Sequence, residues 1–328
     1  MDRSNALKTL AAVIGLLALV AVPIIADAAG STAWISMATR ILIYGMAAAS
    51  LNFALGYGGL VSFGHAAFFG LGGYVVGILY QTYADETLLF GFIPGTNQLL
   101  VTLPATILVT GIAAAAIGAL SLRTGGVQFI MITLAFAQML FFFFSGLSAY
   151  GGEDGLIIRR TNELFGLNMR DRATLYWVTL AITALFFVIY RRLTMSSFGT
   201  IVSGLRQNER RMAALGIEAY RYRLIAFILS GIGTGIAGAM LANVMRFTSP
   251  DLLAWHTSGQ LMIMVILGGV GTVTGPFLGA AVLLILEDVL NAWTENWPLI
   301  LGLVLLVVVL QARGGLMAIV NLVRGNRS

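Results

Sequence analysis

The chain has 328 residues, of which 59% are hydrophobic and only 10% charged, against about 45–50% and about 25% in an ordinary soluble domain. So few charges cannot cover the surface of a soluble protein this long, and apolar runs of about 20 residues, each enough to cross a ~30 Å hydrocarbon layer, recur throughout. The chain lacks cysteine, which excludes disulfides, thiolate metal sites and a cysteine nucleophile. Two histidines, His65 and His256, are too few for a histidine-rich metal centre.

The apolar runs read approximately as 6–26, 34–55, 60–80, 98–120, 127–147, 173–190, 224–245, 258–270, 276–293 and 297–312. They predict one all-α, polytopic integral membrane domain over 1–328, with about ten transmembrane or re-entrant helices in the lipid bilayer. Segment 258–293 reads either as two spans or as one span plus a re-entrant segment. Residues 1–29 read as an N-terminal anchor helix. A cleaved signal peptide is the alternative, since Arg3 and Lys8 precede a run ending in Ala26-Asp27-Ala28. Signal cores are usually 7–15 residues, and the run from Leu10 to Ala26 is longer.

With the N-terminus in the cytoplasm, inside segments hold 13 of the 19 Lys and Arg, seven of them between Arg191 and Arg223 and three in the tail 313–328. Eleven of the 14 acids fall on the other side. The positive-inside rule therefore predicts both termini in the cytoplasm. The formal charge of +5 reports orientation and calls for no nucleic-acid partner.

Deep in the spans, where charge is costly and is retained for function, no Asp, Glu or Lys sits at a midpoint. Arg40 lies about two turns inside its helix, near enough to snorkel to the interface. Glu287 and Asp288 fall in outer turns. Nothing at span depth looks built to couple a proton or sodium gradient or to relay protons in an energy-converting complex, and an ion-coupled secondary transporter of amino acids stays as the rival reading. No HExxH, GxSxG or mid-span Asp pair marks an intramembrane enzyme, so no catalytic or metal residues are assigned. Lys8 is the sole lysine and follows no glycine loop, so the chain has no GxxxxGK[ST] phosphate cradle. A chain that moves a solute uphill with these residues would draw its energy from a partner.

Two glycine-broken segments echo each other, Leu55–Gly64 and Leu267–Pro276. Such breaks free backbone groups that lipid cannot satisfy, so they belong against protein or beside a watery cavity, and a pair of them points to a translocation route. Gly56, Gly58, Gly59, Gly268, Gly269, Gly271, Thr274 and Gly275 are candidate pathway residues, with Asn52, Ser62, His65 and Gln138 as polar candidates at span depth. Helix–helix hydrogen bonding is the alternative job for each polar residue. Gly231, Gly235 and Ala239 read instead as close helix packing.

The longest outside loop, 148–172, carries Glu153, Asp154, Arg159 and Arg160. They read either as solvated charge or as contacts to an extracytoplasmic protein. In the long cytoplasmic loop, 194–222, Ile201, Leu205, Met212 and Leu215 fall on one narrow stripe of a 3.6-residue repeat, with Asn208 inside it. Gly216 stands where a left-handed glycine would end the run. The stripe reads as an amphipathic helix, either on anionic lipid or docking a cytoplasmic partner.

The stretch Leu51–Gly70, LNFALGYGGLVSFGHAAFFG, resembles the signature of LivM-type permease subunits of branched-chain amino acid ABC importers. Gly126–Phe136, Asn208–Ile217 and Gly268–Gly279 are similar to three further motifs of that family, in order. The resemblance implies a non-catalytic subunit of a bacterial inner membrane importer, paired with a LivH-type second permease. It also implies two ATPase subunits that bind ATP and Mg, and an extracytoplasmic solute-binding protein. It assigns Leu205, Arg206, Asn208, Glu209, Arg210, Arg211, Ala213, Ala214, Gly216 and Ile217 to the loop that docks on the ATPase. Arg210 and Arg211 depart from a pattern that is often apolar or small there. Branched-chain or similar small amino acids are the expected solutes, with urea or small carboxylates as the alternative.

Overall fold

The computed structural model describes residues 32–311, apart from 90, 92, 166 and 168, together with 21, 23 and 315–317. Nearly all of the expected anchor at 1–29 and of the tail at 313–328 lies outside the described residues. Nine of the ten predicted runs coincide with a helix. The first is α1 (Thr32–Asn52), which continues through a π-helical turn at Phe53–Tyr57, followed by α2 (His65–Ala84), α3 (Leu99–Ser121), α4 (Val127–Ser145) and α5 (Arg172–Met195). Two short helices follow, α6 (Ser197–Gln207) and α7 (Glu209–Ala214). The last four are α8 (Ala219–Met245), α9 (Trp255–Gly268), α10 (Gly275–Trp293) and α11 (Trp297–Gln311).

Among the described residues, six helical stretches are long and apolar enough to cross a membrane: Thr32–Tyr57, Leu99–Ser121, Val127–Ser145, Arg172–Met195, Ala219–Met245 and Gly275–Trp293. The chain is a polytopic all-α membrane protein. The segment left open at 258–293 is two helices, of which α9 has 14 residues, about 21 Å of rise and short of the ~30 Å hydrocarbon layer. Among the described residues, strands form two antiparallel pairs of two residues each in the loops, beside isolated bridges between Gln98 and Glu163 and between Leu164 and Leu167. Leu88–Leu89 (β1) faces Ile93–Pro94 (β2), and Leu156–Ile157 (β3) faces Phe247–Thr248 (β4).

Helix α8 is the axis, packed on α1, α2 and α3. Lipid tails are as apolar as leucine, so association here relies on close packing of small residues rather than on expelling water. The glycines supply it. A Cβ at Gly72 would fall on the Gly235 carbonyl oxygen, and one at Gly238 on the Phe69 carbonyl oxygen, so α2 and α8 meet backbone to backbone. On α3, buried Thr106 and Thr110 bond the carbonyls one turn back, at 2.8 and 2.6 Å. Their polar atoms are thus satisfied inside the helix. The larger core lies between α1, α2, α8, α9 and α10, built on Ile43, Met46, Leu51, Phe69, Met240, Leu261, Met264 and Leu283.

The amphipathic stripe at 201–215 is not one helix. Asn208 stands extended (φ −158°, ψ 99°) between α6 and α7, and its Oδ1 accepts from the Arg211 N–H at 3.0 Å. An asparagine offers a backbone amide the partner that a continuing helix would supply, which makes it a helix start. Leu205 is consequently buried while Leu215 is 70% exposed. Gly216 does end the run, at φ +80°. Its N–H bonds Ala213 O and that of Ile217 bonds Met212 O, the paired pattern of a left-handed C-terminal cap.

Candidate functional site

The two glycine breaks and the arginine-rich loop converge at one end of the bundle. The first break begins where α1 loosens: the Gly58 N–H reaches Phe53 O and the Leu60 N–H reaches Ala54 O. This wide winding is of the kind found at functional positions in helices. A Cβ at Gly56 would lie 2.6 Å from the Gly271 nitrogen, so only glycine lets the two breaks come so close. Gly271 (φ +78°) and Gly269 (φ +122°) take backbone conformations that side chains disfavour.

Asn52 stitches the breaks together. It is fully buried, and its Oδ1 accepts from the Gly271 N–H at 2.9 Å. Its Nδ2 donates to Thr272 O at 2.8 Å and to the Tyr190 hydroxyl at 3.1 Å. The helix–helix alternative for this residue therefore describes its place, although its partner is a break rather than a helix.

Arg206, from the last turn of α6, reaches into the same junction. Its Nη1 donates to Gly56 O, and its stem lies over Gly59, whose Cβ would stand 2.9 Å from Arg206 Cγ. Aromatic rings brace this joint. Phe53 stacks on Phe198 at the start of α6 (centroids 6.2 Å) and meets Tyr190 edge-on (6.1 Å), while Tyr222 of α8 stacks on Phe198 (5.8 Å). Beyond it, Glu209 pairs with Arg223 at 2.9 Å, tying α7 to α8. Arg210, Arg211, Ala213 and Ala214 are exposed, and Ile217 is half-buried.

The other candidates lie elsewhere. Gly268 and Gly275 fold the second break on itself, since a Cβ at Gly268 would fall on the Gly275 carbonyl oxygen. Thr274 is exposed, and its hydroxyl faces the Met317 sulfur at 3.7 Å. The buried Ser62 Oγ accepts from the Gly64 N–H at 3.1 Å, a loop-shaping bond. His65 is fully buried between Phe68 and Phe227, with Nε2 2.7 Å from Ser230 Oγ. Ser230 donates its one proton to Ser50 O, so the His65 Nε2 carries hydrogen and donates. Nδ1 has no partner among the described residues. Gln138 is half-buried on α4, its Nε2 likewise unpartnered. Glu153, Asp154, Arg159 and Arg160 are all exposed in the loop before and after β3.

Sequence reasoning missed Tyr190, Phe198, Tyr222 and Thr272. Two of the aromatic residues adjoin loop arginines, at Tyr190-Arg191 and Tyr222-Arg223, a signal that marks interfaces in general but no particular joint.

The branched-chain amino acid transport system / permease component family matches residues 33–310. The chain is 26% identical over 292 residues to the high-affinity branched-chain amino acid transport system permease protein LivM of Salmonella typhimurium, and 25% identical over 292 residues to that of Escherichia coli. These matches cover 82% of this chain and 66% of each relative, so it spans just under two thirds of their length. It is also 24% identical over 295 residues to the probable branched-chain amino acid transport permease protein LivM of Methanocaldococcus jannaschii, covering 80% of this chain and 82% of that one. No solved structure matches. With the junction of the two breaks inside the matched residues 33–310, the chain belongs to the branched-chain amino acid transport system / permease component family.

Proposed function

We propose that the chain is the membrane-spanning permease subunit of an ABC importer for branched-chain or similar small amino acids, moved by ATP-driven alternating access. The observation that carries the reading is the seat of Arg206: the loop helix α6 holds, by one guanidinium, the junction where both glycine breaks meet. A push on α6 and α7 is thereby a push on the breaks. The exposed face of α7, Arg210 and Arg211 beside the 70% exposed Leu215, is the surface offered to an ATPase. In this reading two ATPase subunits bind ATP and Mg, and a LivH-type permease completes the pathway. An extracytoplasmic binding protein meets Glu153, Asp154, Arg159 and Arg160 and sets most of the specificity.

Displacing α6 would withdraw Arg206 from Gly56 and free Asn52, Gly58, Gly59 and Gly271 to rearrange about a narrow, largely uncharged route. His65 and Ser62 act as supports of that route rather than as solute contacts.

Reconstitution in liposomes tests this. With the partner subunits, uptake of leucine should require ATP. Reversing both Arg210 and Arg211 to Glu should lower it while the permease pair still assembles. Uphill uptake by this chain alone on an ion gradient would overturn the reading, as would full ATP-driven uptake by the reversed variant.

A further inference from the structure

At the other end of α5, 24 residues and about 36 Å from α6, four arginines line one cavity of about 460 Å³: Arg40, Arg170, Arg172 and Arg246. None of the residues lining it is acidic. Asp171, between two of the arginines, is turned to its own helix, where its Oδ2 accepts from the Thr174 N–H and hydroxyl, both at 3.0 Å. Glu287 acts on Arg40 through space, but its Oε2 accepts from Gln260 at 3.3 Å. Among the described residues no ion pair joins Arg40, Arg172 or Arg246 to an acid, and the Arg40 Nε is buried without a partner. Thr39 donates its hydroxyl proton to Ile35 O at 2.7 Å. Arg172 Nη1 donates to the Thr32 hydroxyl at 2.8 Å and Arg246 Nη2 to Arg170 O at 3.4 Å, so the remaining N–H groups of Arg40, Arg172 and Arg246 are the donors left for the space.

The arrangement is held in place. Arg246 adopts φ +52° at the end of α8, a left-handed conformation unfavourable for a side chain of this size. It is kept there by the Ile158 N–H, which donates to its carbonyl at 2.9 Å. Arg172 opens one membrane-length helix and Arg246 follows another, so the cavity lies at the level of the lipid headgroups. Val244 and Met245 give it an apolar wall.

We propose that this cavity is a binding site for a phosphate-class oxyanion, either the headgroup of an anionic phospholipid or inorganic phosphate. Guanidinium forks match tetrahedral oxyanions in geometry as well as in charge. A zwitterionic amino acid fits poorly, because the lining holds no carboxylate for its ammonium.

The test uses the purified full chain in phosphatidylcholine nanodiscs, with phosphatidylglycerol added in one arm and millimolar inorganic phosphate in the other. Thermal unfolding and native mass spectrometry are the readouts. Phosphatidylglycerol should raise Tm by about 4 °C and leave one more tightly held lipid than the triple variant R40Q/R172Q/R246Q retains. That result assigns a lipid source; a phosphate-induced shift that the triple variant loses, with no added lipid retained, assigns free phosphate. Arg172→Gln alone, at an exposed first turn, should lose about half of the shift, which covers a triple variant that fails to fold. If neither arm stabilises the native chain, or if the variants respond as it does, the proposal is overturned.

Discussion

Arg206 and Gly56 stand 150 residues apart in the chain, yet the guanidinium of one donates to the carbonyl of the other. A π-helical turn frees backbone oxygens from the regular ladder, and a charged donor from a different helix takes one of them. Loop and membrane domain are joined by a bond that breaks if either moves.

Arg206→Gln should weaken this joint. A hydrogen bond to a charged group contributes about 1.5–3 kcal/mol, less here because the residue is partly exposed. A fall in Tm of about 2–4 °C is expected, with ATP-dependent uptake reduced more severely than assembly. Co-purification with the partner subunits and transport in liposomes separate the two effects. Uptake at the native level would argue against a coupling role.

Asn52→Ala would leave the Gly271 N–H, the Thr272 carbonyl and the Tyr190 hydroxyl without their partner. Each buried orphan costs about 1–3 kcal/mol where water cannot reach it. Loss of Tm by more than 5 °C, or failure to accumulate in the membrane, is the expected result. Leucine fills the volume without restoring the bonds, so N52L should fare no better, which a thermal melt of both variants checks.

Gly72→Ala places a methyl on the Gly235 carbonyl oxygen and should force α2 from α8. Overpacking of this kind costs about 1–3 kcal/mol. Gly111→Ala, also on a helix of the bundle, meets only the Ile232 side chain, at 3.4 and 3.5 Å, and should be neutral or stabilising by up to about 1 kcal/mol. Thermal melts of the pair distinguish tight backbone contact from mere glycine content.

Asp171 titrates below the ordinary aspartate value of 3.8, because the Thr174 N–H and hydroxyl bond its carboxylate. The folded value is the lower one, so the cap's contribution is complete above the ordinary value. It is lost as pH falls through the lowered one. Removing the cap outright, by Asp171→Ala, costs about 1 kcal/mol. The protection factors of the amides in the first turn of α5, with the intrinsic pH dependence of exchange divided out, should be flat from pH 8 to 5 and fall only at more acid pH. Asp171→Asn should abolish the acid dependence while keeping most of the protection.

The spans were legible because hydrocarbon thickness dictates run length, and nine predicted runs meet helices within a few residues. Gly216 was legible too, since a left-handed cap is a local matter. Asn208 was not: an asparagine in an apolar stripe fits both a continuing helix and a new cap, and burial of Leu205 against the bundle decides between them. The site was half legible. Glycine spacing marked both breaks, but their meeting depends on contacts across 219 residues, from Asn52 to Gly271. Arg206 reads as loop surface until the chain folds it beneath Gly56.

The bare seam of α2 and α8, where Gly72 lies on Gly235 and Gly238 on Phe69, has a mechanical corollary. Shifting α8 by one residue would bring Thr234 or Ile236, and Ala237 or Ala239, to spots with room for hydrogen alone, so shear of α8 along this seam is opposed. The two helices are thereby fitted to move as one piece, a keel along the bundle.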